Sequence, residues 1–367
     1  MTERSERGGS HRDDRGGRGY RGGSGGGDRG YRGGSGGDRG GGGRGGDRGY
    51  RGGDRGYRDG ERGRSRRVYD DEPRDGLLAD LVGHLHALDG RSYAAYKAIV
   101  GRYRAPAGWF LHIDRVQSDP YAPPTRIHVD VPTDLHGLEL LDEADLLADA
   151  DRRLAVGDFL TRELHAGFRG TALSIASPGQ EILQRSSIIV RPDEKKEGPG
   201  WVLEIRARLA LPAQGRSIQG HEASRIVGRD LVRELEEAMD LTGERGDRLV
   251  RHVATLEDHR ALTATVARNG WVSFLADGSV LPRRSGVSDE PLDGGVPLDA
   301  PESMAATVEL PHAGTVRGTV VEAGVNVIVG GGYHGKSTLL SAIERGVYPH
   351  VPGDGRELVA TVPDAVK

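Results

Sequence analysis

Residues 325–345 read VNVIVGGGYHGKSTLLSAIER and hold the densest chemistry in the chain. Within them Gly330, Gly331, Gly332, Tyr333, His334, Gly335, Lys336 and Ser337 match the phosphate-binding pattern G-x-x-x-x-G-K-[ST] in full. Glycines let such a loop wrap closely, so that successive backbone N–H groups point at phosphates. The helix after the loop adds the partial positive charge of its N-terminus. Lys336 would reach the β- and γ-phosphates, and the Ser337 hydroxyl would ligate Mg²⁺, so the cofactors called for are ATP and Mg²⁺. Only five of the 51 basic side chains are lysines, and one of the five occupies the P-loop position. In a chain that otherwise uses arginine, this points to a demand for a compact ammonium. Tyr333 and His334 sit inside the loop, within reach of phosphate or base.

Binding is not turnover. Hydrolysis also needs a Walker B carboxylate on a neighbouring strand and a group that positions water. After Ser337 the one candidate is LVATVPD (358–364), whose proline before Asp364 makes it read as an ordinary strand and turn. No signature motif comes after it, and the sequence is therefore expected to be a partial ATPase core with no assignable catalytic residue. Other constellations are weaker. His84 and His86 are two apart on a helix and face different ways, which argues against a shared metal. Arg283 and Arg284, in ADGSVLPRRSG, either present two guanidiniums to phosphate or RNA or form a solvated surface pair.

Local patterns supply the elements that must position the loop. Val325–Val329 reads as the buried strand before it, and Thr338–Glu344 as the helix after it, with Leu339, Leu340 and Ile343 on one face. Upstream, helical periodicity covers 75–88, 91–103, 143–168, 222–240 and 247–268. Strands are expected at 109–114, 126–131, 171–175, 182–190, 201–209, 271–275 and 305–310. The fold class that results is mixed α/β. The organisation is an arm at 1–67, an N-terminal α/β domain at 68–243 and the first part of a P-loop domain at 244–367.

The arm differs in kind. Residues 1–67 hold 27 of the 59 glycines, 18 arginines and almost no aliphatic side chains. Such a stretch cannot bury enough apolar surface to offset the entropy of ordering, and disorder is expected. DRGYRGG recurs at 28–34 and 47–53, and DRGYRDG stands at 54–60. Arginine forks for phosphates and tyrosine faces for bases are a sequence-tolerant way to hold single-stranded nucleic acid. The arm carries a net +8 and the rest −12, so a basic arm sits on an acidic body. Ten acidic residues inside the arm weaken the polyanion reading, and self-association is a competing use of the same composition. The chain has no cysteine, which excludes disulfides, thiolate metal sites and cysteine nucleophiles. No secretory signal opens it and nowhere do 18 apolar residues run together, so a soluble, cytoplasmic protein is expected.

GGGYHGKSTLLSAIERGVYPHVPGDGRE (330–357) resembles the P-loop region of the ATPases of the ABC class, a bacterial family with a relative in the kinetoplast mRNA editing of trypanosomes. RSYAAYKAIVGRY (91–103), DRVQSDPYAPPTR (114–126), GQEILQR (179–185), ALPAQGRSIQG (210–220) and FLADGSVLPRRSGV (274–287) agree with it. The likeness spans about residue 75 to the end and leaves out the arm. It implies an N-terminal α/β domain followed by an ABC-type core, ATP and Mg²⁺ as ligands, nucleotide-linked homodimers and RNA as a partner. Motif matching carries ATP binding to Gly330, Gly335, Lys336, Ser337 and Thr338. The family's Walker B, signature motif and switch histidine would lie beyond Lys367. The leading expectation is an ABC-class ATPase that couples Mg-ATP to RNA. The alternatives are a nucleic-acid-binding protein in which nucleotide is only regulatory, and a P-loop small-molecule kinase.

Overall fold

The computed structural model describes residues 74–194, 196 and 200–365. The expected arm at 1–67 lies outside these residues.

The chain opens with β1 (Arg74–Leu77), α1 (Leu78–Ala87) and a 3₁₀ turn at Tyr93–Ile99. An antiparallel run comes next in β2 (Gly101–Arg104), β3 (Phe110–Arg115) and β4 (Thr125–Pro132). Then come α2 (Leu140–Glu143), α3 (Ala150–Gly167), β5 (Leu173–Ser174), β6 (Ile188–Pro192) and β7 (Trp201–Leu209). These strands form one seven-stranded sheet in the order β1-β2-β3-β4-β7-β5, with β6 also on β7. Only the β1–β2 pairing in it is parallel. Strict alternation explains its two faces. On β4, Thr125, Ile127, Val129 and Val131 are buried while Arg126, His128 and Asp130 face the other way. On β7, Leu203, Ile205, Ala207 and Leu209 point inward with β4's apolar set. There they join Phe159, Leu160 and Leu164 of α3 in the larger core.

Two short strands, β8 (Ala213–Gln214) and β9 (Ser217–Ile218), lead into α4 (Gly220–Arg225), a π turn at Ile226–Asp230 and α5 (Leu231–Met239). The long helix α6 (Gly243–Arg268) then joins the two cores. Leu249, Val253 and Leu256 belong to the first core, and Leu262 and Val266 to the second. At 1.5 Å per residue its 26 residues run about 39 Å. Beyond it lie β10 (Trp271–Ala276), β11 (Arg283–Ser285), β12 (Ser288–Pro291), β13 (Ala305–Leu310), β14 (Gly314–Glu322), α7 (Lys336–Arg345) and β15 (Val359–Thr361). The order β13-β14-β10-β15 makes a four-stranded antiparallel sheet. Phe274 and Ala276 of β10 pack with α6, while Leu275 packs with Ala342, Leu339 and Ile343 of α7. The sheet is thus covered on both faces, which is why WVSFLA (271–276) is apolar at every position but Ser273 instead of alternating. Among the described residues no helix is long and apolar enough to cross a membrane.

The mixed α/β class holds, but several elements differ from expectation. Residues 91–103 do not make one α-helix. Tyr93–Ile99 is 3₁₀ and the remainder becomes β2, because Tyr103 is recruited into the sheet core against Leu111. The long helix starts at Ala150 rather than 143, where Asp149 caps it by accepting the Arg152 N–H at 2.9 Å. Of 182–190 only Ile188 onward is strand. The largest departure is Val325–Val329, which forms no strand and leaves Val325, Val327 and Val329 exposed. A strand buried on both faces needs hydrogen-bonded neighbours, and no described strand pairs with this one.

Candidate nucleotide-binding site

The loop between Val329 and α7 is solvent-exposed from Gly330 through Gly335. Gly330 and Gly335 have φ of 153° and 79°, and Gly335 is the N-cap residue of α7. The left-handed turn at Gly335 aims the start of the helix back at the loop, a conformation that a side chain would strain. Tyr333 adopts a positive φ of 62° and is fully exposed, its ring held by no neighbour that would fix it. His334 turns inward, its Nδ1 accepting the Gly331 N–H at 3.2 Å. Gly332 spans the tip.

Lys336 folds back over this turn. Its Nζ donates to Gly330 O at 2.7 Å and also to Gly331 O. The ammonium therefore lies within the loop's own curve, on carbonyls that a phosphate oxygen could replace as its partners. No side chain caps α7, and its first intrahelical bond is Leu339 N–H to Gly335 O at 2.8 Å. The N–H groups of Lys336, Ser337 and Thr338 precede that bond and stay available. Ser337 is exposed beside them. The nine sequence-predicted residues, Gly330 to Thr338, form one continuous stretch in which the Gly331 N–H is taken by His334 and the N–H groups of Lys336, Ser337 and Thr338 lie outside the helical ladder. Backbone N–H groups, one ammonium and one hydroxyl at a helix N-terminus are a donor set that fits a nucleotide polyphosphate and its Mg²⁺.

Other candidates from the sequence are placed elsewhere. Asp364 sits in an exposed turn after β15. Arg283 is not free for phosphate, because its guanidinium donates to Asp354 Oδ2 at 2.7 Å and to Asp354 O at 2.9 Å. Arg284 is taken up by Glu290 and Asp293. His84 and His86 diverge, toward Arg74 and His221 respectively.

What sequence reading missed is the anchorage of α7. Arg345, in its last turn, donates to Glu181 Oε1 at 2.9 Å. Glu181 and His350 also bridge in antiparallel fashion, and Val351 N–H donates to Gln180 O at 2.9 Å. Residues 179–182 and 349–351 therefore bind each other across the chain. Behind Glu181 lies a buried charge cluster. Arg162 donates to Gly179 O, Glu181 O and Asp158, while Arg185 meets Asp158 from another side. His252 on α6 brings its Nε2 to 3.2 Å from Asp158 Oδ2 without hydrogen-bond alignment. Nothing local in the sequence signals a pairing between residues 164 positions apart.

Two histidines near this anchorage are held neutral. Burial, then the Arg162 and Arg185 charges, drive His252 down to about 3. Burial likewise drives His259 down to about 4, although its contact with Gly346 O at 3.2 Å works the other way. In the unfolded chain both would titrate near 6.5. Their contribution to stability is then complete above about pH 6.5 and is lost as pH falls toward 4. Between pH 7 and pH 5 each should cost about 2 kcal/mol of unfolding free energy. Urea unfolding of the chain at the two pH values checks this, and equal stability would refute it.

Two family models cover most of the chain. The model described as the ATPase of the ABC class N-terminal matches residues 78–241, and the P-loop domain of the ABC ATPase matches residues 245–367. No curated protein matches the chain.

Proposed function

This chain belongs to the ATPases of the ABC class, and from that premise we propose that Gly330–Thr338 binds ATP with Mg²⁺. The single observation that carries this is the loop's geometry. A left-handed Gly335 feeds an uncapped helix while the Lys336 ammonium rests on loop carbonyls. Backbone N–H groups of Gly331–Lys336 and the Lys336 ammonium would hold the phosphates. The Ser337 hydroxyl would hold Mg²⁺, whose part when bound is to neutralise phosphate charge. Thr338 adds its N–H at the first turn. Residues 330–338 themselves include no carboxylate, so the reading supports nucleotide binding by these residues and assigns none of them to hydrolysis.

The second half of the proposal is that nucleotide is coupled to a single-stranded nucleic acid, RNA in the first instance, in the cytoplasm. The RGG and RGY repeats of residues 1–67 support it by composition. Nucleotide-linked pairing of two copies is part of the same reading. The route for coupling would be α7 itself, whose far end is bound through Arg345 to Glu181 of the N-terminal part.

Equilibrium binding of a fluorescent ATP analogue, with Mg²⁺ and with EDTA, tests the first half. Saturable binding that weakens at least tenfold in EDTA is expected, and failure to bind in Mg²⁺ would overturn the proposal.

A further inference from the structure

The outward face of the seven-stranded sheet carries a row of like charges that its register makes explicit. Arg126 on β4 is the cross-strand partner of Arg208 on β7, and Arg115 on β3 pairs with Arg126 across a bulge at Asp114. Ser174 on β5 completes the row. Like charges directly opposite on neighbouring strands destabilise a sheet. Yet the side chains of these three arginines enter no hydrogen bond or ion pair among the described residues. The contrast within the same face is sharp. Arg206 and Arg191 both hold Glu204, and Arg191 also holds Asp130 at 2.9 Å. The carboxylates Asp130 and Glu204 are thus used up two rows away, and the Arg115–Arg126–Arg208 row is left uncompensated.

That row borders a cavity of about 600 Å³, whose walls include Arg126, Arg206, Arg208 and the hydroxyl-bearing Ser174, Ser177 and Ser187. Its single acidic wall residue, Asp114, is occupied by His128 Nδ1 at 2.9 Å. Two unpaired guanidiniums, Arg126 and Arg208, and several hydroxyls against one carboxylate are the chemistry of a phosphate site. The next row, Arg206–His128–His112, offers imidazole rings that stack at 4.1 Å. Phe110 stands one row further on, with Arg102 3.8 Å over its ring. His112, His128 and Asp130 also have atoms close enough to share a metal ion. The arginines around them, with Arg191 already on Asp130, make the neighbourhood favour an anion over a cation.

We infer that this sheet face binds a single-stranded polynucleotide, with phosphates on the Arg115–Arg126–Arg208 row and bases against His112, His128 and Phe110. Cationic rows beside stacking faces are how sequence-tolerant single-strand sites are built. The choice of polynucleotide over another phosphorylated ligand rests on the nucleic-acid half of the function proposed above, since the same chain carries the RGG repeats. The folded body would then hold the strand and the repeats would add avidity.

The test uses the full chain and a 12-nucleotide RNA carrying 4-thiouridine. Photo-crosslinks are expected within β3, β4 or β7, and Arg126→Gln/Arg208→Gln should weaken binding tenfold or more. The log–log salt slope should also fall by about 1.4, from about 0.7 per lost phosphate contact on a single strand. Arg126→Lys/Arg208→Lys keeps the charges and should keep the slope, which separates loss of contacts from loss of fold. Crosslinks confined to residues 1–73, with affinity unchanged in the glutamine pair, would overturn this site and leave the repeats as the sole contact. No binding by the unaltered chain would overturn both this site and the nucleic-acid half of the proposed function, and leave Mg-ATP binding standing.

Discussion

Lys336→Ala should lower the affinity for Mg-ATP by roughly 10- to 150-fold, the equivalent of about 1.5–3 kcal/mol for a hydrogen bond to a charged group. The ammonium now donates to Gly330 O and Gly331 O, both on an exposed loop. Exchanging those carbonyls for phosphate oxygens adds attraction between opposite full charges to hydrogen bonds that the ammonium already makes. The loss should therefore appear in binding rather than in folding. Surface substitutions away from buried features usually stay within about 0.5 kcal/mol, so the thermal midpoint should hardly move. Lys336→Arg should recover little, because a planar fork cannot occupy the curve that a compact ammonium fills. Titration of each variant with a fluorescent ATP analogue reads the effect. Equal affinity in Lys336→Ala would remove the residue from the site and with it the reading of residues 330–338 as a P-loop.

The P-loop is legible in the sequence because it is a local object. Its glycine spacing, lysine and adjoining helix lie within one stretch, and the positive φ at Gly335 is what a glycine there anticipates. Strands with strict alternation, such as Thr125–Pro132 and Trp201–Leu209, are equally legible, since one buried face leaves a period of two. Segments whose state is decided by distant partners are not. YAAYKAI reads as helical from its spacing, but the sheet claims Gly101–Arg104 just after it through Tyr103. VNVIV carries every local mark of a buried strand, yet pairing is a property of two segments. Arg283 reads as a free cation in a polar loop, and only the approach of Asp354 across 71 positions makes it structural. The arginine row is hidden for the same reason. Arg115, Arg126 and Arg208 are scattered in sequence, and register alone aligns them.

Asp158→Ala should cost about 3–5 kcal/mol of unfolding free energy, the range for removing one partner from a buried ion pair. The carboxylate is fully buried in mid-α3, where apolar Val156, Phe159 and Leu160 surround it in sequence. It is tolerated because Arg162 donates to it at 2.7 Å, Arg185 meets it from the loop after Glu181, and Leu183 N–H reaches it at 3.3 Å. Without it, two guanidiniums that are mostly out of water face each other and the neutral His252 with the carboxylate they both contact removed. Asp158→Asn keeps the volume and an acceptor oxygen and should lose about half as much. The damage should be felt beyond α3, since Arg162 also holds Gly179 O and Glu181 O, and Glu181 holds Arg345 at the end of α7. At about 2–4 °C per kcal/mol, the alanine variant should melt roughly 6–20 °C lower. Calorimetry of the three proteins at pH 7 decides it. A fall of under about 1 kcal/mol would mean that water replaces the carboxylate readily, and that α7 is anchored by its backbone contacts at 179–182 rather than by this cluster.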